Sequence, residues 1–159
     1  VFIVPEVKIN KSCAKIMSLQ DPNKKMSKSD SNINSFISIL DKPDDIIKKF
    51  KRAVTDSDSR VKYSKGKPGV SNLIKIHSAL TEQSVSEIES LFENKGYGDF
   101  KKAVGETVAD YFAPIQNEFH KIIKDKAYLE KCYKEDAAKA KIISDKTLKK
   151  AMKKVGFVL

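Results

Sequence analysis

Apolar residues recur at helical spacing over most of the chain and alternate almost nowhere. Ile46, Ile47, Phe50, Ala53 and Val54 fall on one side of a 3.6-residue repeat. Asp41 offers an N-cap ahead of them, Pro43 fits the first turn, and Asp44 and Asp45 lie where the helix dipole favours negative charge. This predicts a helix from about Pro43 to Val54, with Lys48, Lys49, Lys51 and Arg52 on its other sides. Leu73, Ile74, His77 and Leu80 share a face of a second segment, which Ser71 is placed to cap. Ser84 and Glu87 have capping-box spacing before Ile88, Leu91 and Phe92. Gly96 and Gly98 are expected to end that helix, and Asp99 to begin the next. Phe100, Val104, Val108, Tyr111, Phe112, Ile115, Phe119, Ile122 and Ile123 then make a long stripe that reads as bundle core. Pro114 interrupts it and should kink or split the helix near Phe112. A last helical segment, Ala127 to Val155, sets Leu129, Tyr133, Ile143, Leu148 and Met152 among many charges.

The first sixty residues read differently. Val1-Phe2-Ile3-Val4-Pro5 is an apolar run suited to a strand, and Ile16-Met17-Ser18-Leu19 is suited to the last buried strand of a sheet. Ser35 to Leu40 fits either a strand or a short connector. Asp56-Ser57-Asp58-Ser59 and the turn-rich Ser64-Lys65-Gly66-Lys67-Pro68-Gly69 break the pattern, and the domain boundary is placed there. The division is 1–60 and 61–159. The opening on an apolar run without an initiator Met carries the expectation of a piece of a longer protein.

Composition narrows the classes. Of 159 residues, 40% are apolar and 33% charged, which is globular rather than disordered. No run of about 18 apolar residues occurs, so no membrane span is expected. The net charge of +10 favours a polyanionic partner, nucleic acid before membrane. Cys13 and Cys132 lack ligand spacing and are expected as buried, reduced thiols. His77 and His120 are equally isolated, and no protein-bound metal is expected.

The most informative stretch is Lys24-Lys25-Met26-Ser27-Lys28-Ser29-Asp30, a basic loop behind the turn-forming Asp21-Pro22-Asn23. Lysines act as mobile point charges, and hydroxyls and backbone N–H groups can complete a phosphate cradle. A solvated charge run is the plainer reading of such a heptad. The order of residues argues for more: Lys25 to Ser29 spell the KMSKS signature of class I aminoacyl-tRNA synthetases. Together with Ile16 to Lys24, Ala53-Val54-Thr55-Asp56-Ser57, Lys67-Pro68-Gly69-Val70-Ser71-Asn72-Leu73 and Lys95-Gly96-Tyr97-Gly98, the chain resembles the tryptophan-specific branch, of bacterial and organellar type. The resemblance runs over nearly the whole chain. It departs at Ser31, where Pro is usual, and at Lys15, where Arg is usual.

The resemblance implies a mostly α chain: the C-terminal end of an incomplete Rossmann-like α/β catalytic domain (1–60), then an all-helical anticodon-binding bundle (61–159). It implies tryptophan–tRNA ligase chemistry, in which tryptophan attacks the α-phosphate of ATP and the activated amino acid passes to tRNA(Trp). By motif position Lys25 and Lys28 are the catalytic candidates. The ATP-binding set is Ile16, Lys25, Met26, Ser27, Lys28 and Ser29, with Met26 as apolar anchor and the Ile16 backbone at the adenine edge. From the residue alone, Ile16 reads as ordinary strand core. ATP is expected with Mg2+, the full-length protein as a homodimer, and the setting as cytoplasmic, with an organellar matrix as the other option. The companion His-x-Gly-His/Asn element does not occur in these residues, so they are expected not to activate tryptophan alone. The alternatives are a tyrosine-specific sibling and a non-catalytic tRNA-binding helical module.

Overall fold

The computed structural model describes residues 1–8 and 15–157. Among the described residues there are five helices: α1 (Pro43–Lys51), α2 (Pro68–Thr81), α3 (Val85–Leu91), α4 (Tyr97–Ile122) and α5 (Lys126–Lys154). Packing divides the molecule into two units, one of residues 9–116 and one of residues 1–8 with 117–159.

In the 9–116 unit, α1 to α3 and the first part of α4 meet around Ile46, Phe50, Leu73, Ile74, Ile88, Phe100 and Val104, each at most 1% exposed. Leu19, Ala53 and Val61 join the same core from the connecting segments, so residues on both sides of position 60 share it. Phe92 and Phe100 meet edge to face, with ring centroids 5.0 Å apart. Burial of each such side chain contributes about 1.5–3 kcal/mol. Gly105 lies on α4 where α1 comes closest, and a Cβ there would stand 3.0 Å from the Ile47 Cα.

The helix ends follow local chemistry, with several corrections to the sequence expectations. The first helix stops at Lys51, and its N-cap is Lys42, without a side-chain cap bond. Asp41 instead accepts from the Ser38 N–H and from Lys49 Nζ, at 2.9 and 2.6 Å. Lys49, expected on a solvated side, is buried beneath the Phe36–Asp41 segment and also donates to the Phe36 carbonyl at 3.1 Å. The second helix begins at Pro68, so Ser71 lies inside it. Its hydroxyl donates back to the Ser64 carbonyl at 2.9 Å. The capping box at Ser84 and Glu87 is present in both directions. Phe92, not a glycine, is the C-cap of α3, and Gly98 sits in the first turn of α4.

Pro114 does not split α4. A proline removes a single N–H and frees one carbonyl, that of the exposed Asp110, which water can satisfy. The apolar stripe on α4 is buried as far as Ala109 and half-buried at Phe112, whereas Tyr111, Ile115, Phe119 and Ile123 are exposed.

In the second unit the side chain of Asp125 caps α5, accepting from the Tyr128 N–H at 2.9 Å. No described residue of α5 is buried. Exposed ion pairs such as Glu130–Lys134, at 2.7 Å, run along it. Val1 to Lys8 is exposed and without regular secondary structure, in place of the expected strand. Among the described residues the Ile16–Leu19 segment has only a single antiparallel bridge, Met17 to Lys25, in place of the expected strand. Cys132 is a free, half-buried thiol, and Cys13 lies outside the described residues.

Candidate nucleotide-binding loop

The basic loop is built as a tight hairpin. Asp21 to Lys24 makes the turn, closed by Lys24 N–H to the Asp21 carbonyl at 2.9 Å and by a Lys24–Asp21 ion pair at 3.2 Å. The returning limb then pairs with the outgoing one: Ser18 N–H donates to the Lys24 carbonyl at 2.8 Å, and Met26 N–H to the Ile16 carbonyl at 3.0 Å. Lys25, between these bonds, is exposed.

Past Lys25 the chain turns again. Asp30 N–H donates to the Ser27 carbonyl at 3.2 Å, and the Ser27 and Ser29 hydroxyls stand 2.9 Å apart. Asp30 and Asn32 each accept from the N–H two residues on, a run of local turns that needs no support from the core. Ser27, Lys28 and Ser29 are exposed. Neither Lys25 nor Lys28 is in an ion pair among the described residues, and both are exposed on the segment that carries the Ser27 and Ser29 hydroxyls. Such a surface suits a phosphate chain.

Met26 is the exception. It is half-buried and packs on the core. With Ile16, Ile37, Phe50, Ile76 and Phe112 it lines a wholly apolar hollow of about 240 Å3 beside the loop. The structure therefore brings Ile16, Lys25 and Met26 together across the hairpin, and carries Ser27, Lys28 and Ser29 on the turn that follows.

The base of this hairpin is fixed from three directions. Leu19 N–H donates to the Ser35 carbonyl at 2.9 Å, and Val54 N–H to the Leu19 carbonyl at 2.7 Å. Met17 is held by the Asn72 carboxamide from α2. Gly69, one turn earlier on α2, packs directly on the Val54 carbonyl, where a Cβ would collide.

A second cluster ties Asp56 to the starts of α2 and α4. Lys67 Nζ donates to Asp58 Oδ2 at 2.6 Å and to the Tyr97 hydroxyl at 2.9 Å, and that hydroxyl donates to Asp56 Oδ1 at 2.8 Å. The hydrogen bond from Lys67 holds the Asp58 carboxyl down at about 2. Burial opposes charge on Lys67, but its bonds to Asp58 and Tyr97 outweigh it and raise its pKa. Burial likewise lowers His77, whose Nδ1 has no partner among the described residues. Asn72, Lys67 and Tyr97 escaped the sequence reading as site supports. The signal was present: the blocks that carried the resemblance are the ones that meet here.

Comparison with known proteins places the chain in a family. The family model "tRNA synthetases class I (W and Y)" matches residues 1–113. The chain belongs to that family. It is 49% identical over 158 residues to the tryptophan–tRNA ligase of Clostridium acetobutylicum, covering 99% of this chain and 47% of the relative. The ligase of Oceanobacillus iheyensis is 48% identical over 157 residues, covering 98% and 48%. Thus the chain spans about half the length of the curated relatives it matches. Among solved structures, the tryptophanyl-tRNA synthetase of Mycoplasma pneumoniae superposes with a TM-score of 0.82 at 30% identity, over 94% of this chain and 45% of that one. The Campylobacter jejuni synthetase, solved with ADP and tryptophan, gives 0.69 at 25% identity, over 96% and 47%.

As a member of this class I family the chain carries the KMSKS sequence on a solvent-facing hairpin. Among the described residues no helix is long and apolar enough to cross a membrane. No group of three or more His, Cys, Asp or Glu side chains among them could hold a metal.

Proposed function

We propose that these residues form the KMSKS-bearing part of a tryptophan–tRNA ligase. The observation that carries the reading is the Lys25-Met26-Ser27-Lys28-Ser29 order on an exposed turn whose base is anchored in the core. The names of the curated relatives support tryptophan as the amino acid. Residues 1–60 serve the nucleotide, as the end of a Rossmann-like domain, and 61–159 serve the tRNA, as a helical anticodon-binding region.

In the activation step negative charge moves onto the leaving pyrophosphate, so the protein's part is positioning and electrostatics. Lys25 and Lys28 neutralise that charge with mobile ammonium groups, while Ser27 and Ser29 donate to phosphate oxygens. Met26 tethers the loop to the apolar hollow, a soft contact that can slide as the loop closes and reopens. The adenine lies against the Ile16 backbone. Mg2+ enters with ATP as part of the substrate, and tRNA(Trp) receives the tryptophanyl group. The full-length protein acts as a homodimer in the cytoplasm, with an organellar matrix as the other setting.

The test is tryptophan-dependent exchange of pyrophosphate into ATP by the full-length protein. Lys28→Ala is expected to lower kcat by about 10²–10³, or about 2.7–4 kcal/mol, as for loss of a donor to a developing oxyanion. An unchanged kcat overturns the assignment. Exchange driven by tyrosine instead of tryptophan would move the chain to the sibling branch.

A further inference from the structure

We infer that Asn72 is a positioning residue for the loop's chemistry, acting from α2 as a substitute neighbour strand for Met17. The inference rests on the reading of the loop given above. Its carboxamide accepts from the Met17 N–H at 2.8 Å and donates to the Met17 carbonyl at 2.8 Å. These are the two bonds an adjacent peptide group would make. The bonds to the Lys24–Met26 limb occupy the opposite edge of the segment: Ser18 N–H donates to the Lys24 carbonyl, and the Ile16 carbonyl accepts from the Met26 N–H. A residue 55 positions away in sequence thus closes a three-row ladder with Met17 in the middle.

A hairpin of only two limbs is marginally stable, and a slip by one residue would turn every side chain to the other face. Here such a slip would swing Lys25 away from the side it now presents and drag Met26 out of its hollow. Asn72 acts against it by fixing Met17: its amide takes both backbone groups on one edge, so the segment can present only the Ile16 carbonyl and the Ser18 N–H to the returning limb. Asn72 is 3% exposed, where an unbonded amide is costly, so the pairing is strongly enforced. An aspartate could accept from the Met17 N–H but would face the Met17 carbonyl without a donor. Gly69, on the same side of α2, seats the helix on the Val54 carbonyl, and Val54 in turn holds Leu19. The first two turns of α2 therefore grip both ends of Met17-Ser18-Leu19, the base from which the catalytic lysines project.

The deciding experiment is pyrophosphate exchange by the full-length protein with Asn72→Ala and Asn72→Asp, each alone and combined with Lys28→Ala. Amide hydrogen exchange at Met17, Ser18 and Met26 accompanies it. Asn72→Ala is expected to lower kcat at least about tenfold with little change in KM for ATP, and to lose most of that effect in the Lys28→Ala background. Met17 and Met26 amides should exchange faster, while those of α3 keep their protection. Asn72→Asp, which keeps the acceptor but sets a carboxylate oxygen against the Met17 carbonyl, should lower kcat at least as much and carries the test if the alanine variant does not fold. An unchanged kcat, or a loss that multiplies in full with that of Lys28→Ala, overturns the positioning role alone. A Lys28→Ala protein as active as the parent overturns the reading of the loop, and this role with it.

Discussion

Lys67 is where single side chains do most to hold the connecting segments. It bonds Asp58 and the Tyr97 hydroxyl at once, and lies 3.5 Å from Asp56. Because the Asp58 carboxyl is lowered from an ordinary value of 3.8 to about 2 in the folded chain, its contribution is present above about pH 4 and lost as pH falls toward 2. Unfolding followed across that range should show a shallower acid loss for Asp58→Asn than for the parent. Parallel acid limbs would mean that the pair adds nothing to the pH dependence. None of this was legible locally: Asp56 and Asp58 read as polar punctuation, and Lys67 as one more lysine. Their partners are fixed by contacts between segments 9 to 41 residues apart.

At the scale of elements, the first turn of α2 is set by close approach. A methyl group on Gly69 would run into the Val54 carbonyl, which is backbone and cannot rotate aside. Gly69→Ala should therefore cost about 1–3 kcal/mol in chemical unfolding, as overpacking against a fixed group does. Gly98→Ala, with open space around it, makes the control. Helix positions followed the apolar spacing well, since a 3.6-residue stripe and a capping box are local facts. Helix starts did so less well. Asp41 had the right chemistry for a cap, but a buried lysine in the last turn of α1 took its carboxylate instead. The Ile16–Leu19 segment looked like a strand because its residues suit burial. Its ladder is completed by a hairpin limb and an asparagine side chain.

For the molecule as a whole, the excess of 31 basic over 21 acidic residues is concentrated toward the end of the chain, with seven lysines from Lys139 to Lys154. Every one of those lysines is exposed, so the charge is available to a polyanion. If tRNA lies against this face, replacing Lys149, Lys150 and Lys153 by Gln should flatten the dependence of log K on log salt by about 0.7–0.9 for each phosphate that is no longer neutralised. Filter binding over a salt series measures it, and an unchanged slope would assign the face to solvent alone.

What the amino-acid order determined was local: which residues could be helical, where a capping box sat, and the five-residue signature whose chemistry is written in its own letters. Only the tertiary structure decided which apolar stripes are covered and which lysine is buried. It also decided that Asn72, 55 residues from Met17, is the group holding the loop's base. The reason is physical: periodicity and capping act over one or two turns, whereas burial and long-range hydrogen bonds depend on what another part of the chain brings alongside.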